Sequence, residues 1–169
     1  MIEKALERTS LIMARIGGGL LVATALLVSV EVILRKTGIV TLSLGTELSS
    51  YALAIGATWA FAYVVFERAH VRIDIVTQRL PLGPRSILNV LAIGSLAGVG
   101  LLLAFGATRT FLTSVRLGAT ANSTLATPLA IPQGLWAIGL AWFTLIAADR
   151  TATAIAALMR GDFATVERI

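Results

Sequence analysis

The stretch from Glu67 to Asp74 carries the densest group of charges in the chain, together with its only histidine, His70. From His70 to Asp74 the sequence reads His-Val-Arg-Ile-Asp. An imidazole can relay protons or bind zinc or haem, but zinc and haem sites need further ligands. The chain has no second histidine and no cysteine, which removes the usual zinc sets and a bis-histidine haem. We therefore predict that His70, Arg72 and Asp74 act through surface contacts, with no catalytic role and no cofactor.

Two carboxylates, Glu31 and Glu47, lie where apolar runs meet polar sequence. A carboxylate within a membrane helix could carry protons or cations across the bilayer, but such residues usually lie deeper than these two. Glu31 is spaced i,i+4 from Arg35, and Lys36 follows directly. A local ion pair near the end of the first helix is the simpler prediction.

Composition determines which elements hold these residues. With 57% hydrophobic residues and a mean hydropathy of +0.88, the chain has too little polar sequence to solvate a soluble globule. The longest charge-free runs approach or exceed the roughly 20 residues that cross a bilayer as a helix. We predict one all-α integral membrane domain over 1–169, with a short interfacial helix or loop between the second and third helices. The four transmembrane helices are predicted near 11–34, 46–66, 86–110 and 131–149.

Basic residues near the helix ends predict the orientation, because such residues are retained on the cytoplasmic side. With the N-terminus inside, nine of them lie on the inner side and four on the outer side, which predicts that both termini are cytoplasmic. Anionic phospholipids attract such residues, so the net charge of +5 requires no nucleic acid as a partner. The inner set is Lys4, Arg8, Arg68, Arg72, Arg79, Arg85, Arg150, Arg160 and Arg168, and the outer set is Arg35, Lys36, Arg109 and Arg116.

Small residues at helical spacing indicate close contact between membrane helices. Gly94 and Gly98 form one such pair, and Ala52, Gly56 and Ala60 form a row. The pattern is common, so it supports packing without identifying a partner. We interpret the tryptophans as interface anchors or as packing residues within the bundle.

The order of these features resembles the small transmembrane subunit of tripartite ATP-independent periplasmic (TRAP) transporters. The resemblance covers roughly 20–148, and the most specific segment is the one from His70 to Asp74. The other matching features are Arg35 at the end of the first helix, Glu47 at the start of the second, Ala57 with Ala60, Leu80-Pro81, and Ser123 with Ile131-Pro132.

The resemblance implies two protein partners, a large TRAP membrane subunit and a periplasmic substrate-binding protein. In that family the large subunit carries the substrate and sodium sites and moves as an elevator, whereas the small one resembles a static scaffold. The expected cargo is organic acids such as C4-dicarboxylates or sugar acids, and the expected location is the bacterial inner membrane. The scaffold would contact the large subunit or phospholipids through His70, Arg72, Asp74, Gly94 and Gly98. Its periplasmic face, for structure or docking, would include Glu31, Arg35, Lys36, Glu47 and Arg116.

A second function remains open from the residues alone. A small proton-coupled multidrug exporter can act as a homodimer, with one glutamate of the first helix exchanging protons and cations. Glu31 would be that residue here. A membrane-anchored enzyme is the least favoured reading, because the sequence offers no nucleophile-base pair and no metal-ligand set.

Overall fold

The computed structural model describes residues 2–37, 45–67, 80–123 and 125–168. Within these residues the chain is helical, and four of its helices are long and apolar enough to cross a membrane. This confirms the predicted all-α membrane fold. The element predicted between the second and third membrane helices falls on 68–79, outside the described residues. The helices are α1 (Ile2–Lys36), α2 (Gly45–Phe66), α3 (Leu82–Leu117), α4 (Ala130–Met159) and the short α5 (Phe163–Arg168).

Three of the four membrane helices are longer than predicted. Helix α1 begins nine residues before the predicted start at 11, α3 extends to Leu117, and α4 extends to Met159. The predicted bounds follow the apolar runs, which end near the edge of the hydrocarbon. A helix does not have to stop there, because its backbone hydrogen bonds continue unchanged in water. The second helix, predicted at 46–66, spans Gly45–Phe66.

The membrane helices pack side by side in the order α1, α2, α4, α3, which we call the helix row. The two inner helices are the more buried ones. In their most apolar windows 33% of α2 and 39% of α4 is buried, against 6% of α1 and 11% of α3. The row has a termini end, at Ile2, Phe66, Leu82 and Met159, and a far end, at Lys36, Gly45, Leu117 and Ala130.

Glycines and a tryptophan form the joints between neighbouring helices. Gly17 of α1 faces Gly56 of α2 so closely that a Cβ on Gly17 would lie 2.8 Å from the Gly56 carbonyl oxygen. Between α2 and α4, the Nε1 of Trp59 donates a hydrogen bond of 2.9 Å to the Leu135 carbonyl. Gly139 makes room for this ring, since a Cβ there would lie 2.6 Å from it.

Helix α4 meets α3 at Gly100, where an added Cβ would lie 2.9 Å from the Phe143 ring. Phe143 is buried, and its ring also packs edge-on against Phe61 of α2, with centroids 5.6 Å apart. A buried cluster around Ala62, Phe143 and Ile146 fills the space between α2 and α4, and side chains of α1 and α3 pack against it.

At the termini end α1 also reaches α4. The Nε1 of Trp142 donates a hydrogen bond of 3.0 Å to the Ser10 hydroxyl, which is fully buried. The Arg150 guanidinium pairs with Glu3 at 2.9 Å and lies over the Phe66 ring at 4.6 Å. The predicted role of the tryptophans in bundle packing is confirmed at Trp142.

Helix α5 folds back beneath α3 and α4. Its Glu167 accepts from Arg85 at 2.7 Å and from the Asn89 amide at 2.9 Å. Val166 is fully buried against the larger helices. This short helix was not predicted, because six residues carry too little periodicity to be distinguished from a tail.

Candidate functional site at the far end of the row

Glu31 joins the first two helices. Its carboxylate accepts a hydrogen bond from the backbone N–H of Gly45, the first residue of α2. A helix begins with unpaired N–H groups and a partial positive charge, so a carboxylate there is stabilising. The predicted ion pair with Arg35 is wrong: within the described chain the salt bridges lie at the termini end, and Arg35 is exposed.

Gly45 has to be small for this contact to form. A Cβ on it would lie 2.8 Å from the Glu31 Oε2 and 3.0 Å from a Val28 methyl group. Glu31 is half-buried in this position. Its carboxylate therefore serves as an end cap for a neighbouring helix.

Glu47, in the first turn of α2, links that helix to the connection between α3 and α4. Its carboxylate accepts a hydrogen bond of 2.8 Å from the Tyr51 hydroxyl. The hydroxyls of Ser123 and Thr127 lie within hydrogen-bonding reach of the same carboxylate. Glu47, which the resemblance placed at the start of the second helix, therefore faces the connection between α3 and α4, which is distant in sequence.

That connection, between Leu117 and Ala130, is folded back on itself. Gly118 ends α3 in the left-handed conformation, at φ 57°. The two arms then pair through backbone hydrogen bonds from Leu129 to Ala119, at 3.0 Å, and from Ala121 to Thr127, at 2.9 Å. A compact loop of this kind can hold Ser123 and Thr127 in fixed positions over α2.

Cations dominate the far end of the described row. Arg35, Lys36 and Arg116 are exposed, and Arg109 lies over the Phe105 ring at 5.6 Å. None of the four forms a salt bridge, since the ion pairs of the described residues involve Arg85 and Arg150. Glu31 and Glu47 are the acidic residues at this end, so four cations face two carboxylates. The face is basic and its cations are available to a partner.

The remaining predicted residues are not part of this site. His70, Arg72 and Asp74 lie outside the described residues. Gly94 has only a Thr151 methyl group near its Cβ position, at 3.7 Å, and Gly98 has no neighbour within 4 Å. Gly98 therefore marks no contact within the described chain, and the tight contact of α3 with α4 is at Gly100.

Sequence reasoning missed an open apolar groove of about 430 Å³ between α1 and α2. The lining residues include Leu21, Val28 and Leu53, together with two hydroxyl residues, Thr24 and Ser49. Both hydroxyls donate to carbonyls of their own helices, so the groove offers a solute no free polar group. The described residues also contain no group of three potential metal ligands.

Comparison with known families gives one match over most of the chain. The family model for the DctQ component of tripartite ATP-independent periplasmic transporters matches residues 24–157. This range includes α2, α3 and the far-end residues Glu31, Glu47 and Arg116. No curated protein and no solved structure matches significantly. The chain therefore belongs to the DctQ family, the small membrane component of TRAP transporters.

Proposed function

We propose that the chain is the static scaffold subunit of a sodium-coupled importer that depends on a periplasmic binding protein. In this proposal the cargo is organic acids, such as C4-dicarboxylates or sugar acids. Family membership already implies association with the DctM and DctP components, the large membrane subunit and the binding protein. The proposal adds how this chain serves them.

The polar side chains within the row support a scaffold that does not bind solute. Thr24, Thr58, Thr108 and Thr144 each donate to a carbonyl one turn earlier in their own helix. Secondary transporters bind substrate with broken helices and free polar groups near the bilayer midplane. The helices described here are continuous, so substrate and sodium sites would belong to the large subunit.

The basic far end supports a docking role, and this is the observation that carries the proposal. A binding protein must dock and leave again, and exposed rim charges chiefly govern the association rate and the salt dependence. Arg35, Lys36 and Arg116 have this exposure. With both termini cytoplasmic, as the distribution of basic residues favours, the far end faces the periplasm.

The exporter alternative receives less support from the geometry. Glu31 lies at the end of the first helix, and its carboxylate is bound to a backbone N–H. A proton-exchanging carboxylate must release and rebind its ligand during each cycle. Family membership also assigns the chain to a multicomponent transporter.

Charge reversal tests the docking role. The variants Lys36→Glu and Arg116→Glu are assembled with the large subunit in proteoliposomes, and transport is measured over a titration of binding protein at two salt levels. We expect the half-saturating concentration to rise on the order of threefold at low salt. The difference should shrink at high salt, because exposed charges are screened.

The matched control is Lys4→Glu, an exposed lysine on the same helix at the termini end. It should leave half-saturation unchanged, and all three variants should give the same yield of assembled complex. Equal half-saturation and equal salt dependence in Lys36→Glu, Arg116→Glu and the unmodified protein would contradict docking at this face.

The scaffold role has its own test at Gly98. Its open, exposed position on α3 allows a helix of another subunit to approach closely. Gly98→Leu should leave the thermal stability of the isolated chain unchanged and lower its co-purification with the large subunit. If Gly98→Leu co-purifies with the large subunit as well as the unmodified chain does, Gly98 does not lie at the subunit interface.

A further inference from the structure

A chain of contacts connects one residue level through all four membrane helices. Trp142 of α4 bonds to Ser10 of α1, and the next residue, Phe143, touches both Phe61 of α2 and Gly100 of α3. Ser10 and Gly100 therefore lie at nearly the same height along the helix row. They mark the two outer helices.

The sequences around these two residues are very different. Ser10 lies among charges, with Glu7 and Arg8 before it and Arg15 after it, and the charge-free run of α1 starts only at residue 16. Gly100 lies well inside the charge-free run of α3, which covers 86–108. At one height of the row, α1 has the composition of a water-exposed helix and α3 that of a lipid-exposed one.

Two arginines show the same offset between the charge-free runs of α1 and α3. Arg15 ends the charge-free run of α1 on the termini side, and Arg109 ends that of α3 on the far side. Gly17 packs against Gly56, and Phe111 packs against Gly134, which places both arginines within about two turns of one level. Both side chains are exposed. With upright helices, two exposed charges would lie well inside the hydrocarbon, where charges are costly.

We infer that the helix row lies in the bilayer as a slanted sheet, with its helices inclined by about 40° to the bilayer normal. The charge-free run of α3 is shifted toward the termini end by roughly 16 residues relative to that of α1, which is about 24 Å at 1.5 Å per residue. Three spacings of about 9 Å between neighbouring helices separate α1 from α3 across the row. The ratio of the shift to this width gives the inclination. This inclination lies at the upper end of the range for membrane helices.

The slant explains why α1 and α3 exceed a bilayer-spanning length at opposite ends. The first turns of α1 leave the hydrocarbon at the termini end and expose Glu3, Lys4 and Glu7 to water. The last turns of α3 leave it at the far end, together with Arg116. The same slant brings Arg15 and Arg109 to the two opposite headgroup regions. The inference concerns the bilayer itself and does not depend on the proposed partners.

Two matched pairs of lipid-facing residues test the slant, since each pair shares one level of the row. The pairs are Ile12 with Leu102, and Val22 with Leu112, all of them exposed. The chain has no cysteine, so single substitutions to cysteine can each carry one spin label. The full chain is reconstituted in phosphatidylethanolamine and phosphatidylglycerol vesicles. Label depth is read from the ratio of the collision rate with oxygen to that with a water-soluble nickel chelate, which rises toward the bilayer interior. Steric shielding of the label affects both rates and cancels in the ratio.

The slanted sheet predicts unequal depths within each pair. Leu102→Cys and Val22→Cys should report the bilayer interior, with ratios several times higher than those of Ile12→Cys and Leu112→Cys, which should report the headgroup regions. Leu53→Cys and Ile138→Cys, on the two inner helices, serve as controls that report the interior for either orientation. Equal ratios within both pairs would overturn the inference and leave an upright bundle, with Arg15 and Arg109 covered by a partner.

Discussion

Glu31 shows how a charged residue can be placed correctly by its sequence and still be given the wrong partner. The i,i+4 spacing to Arg35 is a valid helical contact, but it competes with an N–H group at the start of another helix. A backbone donor at a helix start is already oriented, whereas an exposed arginine loses rotamer freedom on pairing. Sequence spacing within one helix contains no information about the neighbouring helix start, so this contact could not be predicted.

The first prediction separates a capping role of Glu31 from a proton-exchanging one. Glu31→Ala removes the acceptor of the Gly45 N–H, and we expect a loss of about 1–3 kcal/mol in the free energy of unfolding. Glu31→Gln keeps an acceptor oxygen, so its loss should be smaller and transport should persist. Glu7→Ala, an exposed glutamate on the same helix, is the control. Thermal unfolding and transport assays are the measurements, and a Glu31→Gln variant that is stable but inactive would contradict the capping role.

The second prediction concerns Ala126, which has a φ of 45° in the loop over Glu47. A side chain in this left-handed region costs about 1–2 kcal/mol, and glycine avoids that cost. Ala126→Gly should therefore raise the melting temperature. The rise should be small, because glycine also increases the conformational entropy of the unfolded chain, which offsets part of the strain that is removed. Ala121→Gly, in the same loop at a negative φ, should lower it. Equal shifts from the two substitutions would show that the loop imposes no strain at Ala126.

At the scale of the elements, the sequence predicted the number and kind of helices but not how they meet. A long apolar run is enough to predict a membrane helix, because it forms a helix whichever helix packs beside it. The contact points depend on how each helix is rotated about its axis and shifted along it relative to its neighbour. The apolar run encodes neither. Gly56 was predicted as a packing residue and does pack, against Gly17. Gly98 has the same spacing pattern and faces open space.

The third prediction uses two adjacent glycines of α1. Gly17→Ala places a methyl group 2.8 Å from the Gly56 carbonyl oxygen, so α1 must shift, at a cost of about 1–3 kcal/mol. Gly18→Ala meets no atom within 4 Å and should change stability by less than about 0.5 kcal/mol, or increase it. Thermal unfolding of the purified chain compares the two variants. If both are equally stable, the α1 and α2 joint does not depend on the glycine contact.

At the scale of the whole molecule, charge is divided between the two ends of the row. The described ion pairs hold the termini end together, where they fix α1 and α5 to the larger helices. At the far end Glu31 accepts from the first N–H of α2 and Glu47 accepts from Tyr51, and neither carboxylate pairs with a cation of the described residues. The termini end thus has ion pairs between its helices, whereas the cations of the far end remain available to a partner.

The fourth prediction concerns orientation, for which the distribution of basic residues is the physical basis. Asn122→Cys, exposed in the far-end loop, should react with a membrane-impermeant maleimide from the periplasmic side only. Arg160→Cys, exposed in the turn before α5, should react from the cytoplasmic side only. Leu103→Cys, exposed within α3, should react only after detergent is added. Labelling of Asn122→Cys from the cytoplasm would reverse the proposed topology.

The single-layer arrangement of the row has a mechanical consequence. Rods joined side by side resist bending along their length, but the layer folds easily about the joints between them. Of the three joints, the one between α2 and α4 is the least extensive, so the layer should bend there. We expect the curvature of the layer to depend on the surface against which it lies. Paired spin labels at Val22 and Leu112 should therefore change their separation when the large subunit binds, whereas labels at Val22 and Leu53, on adjoining helices, should not.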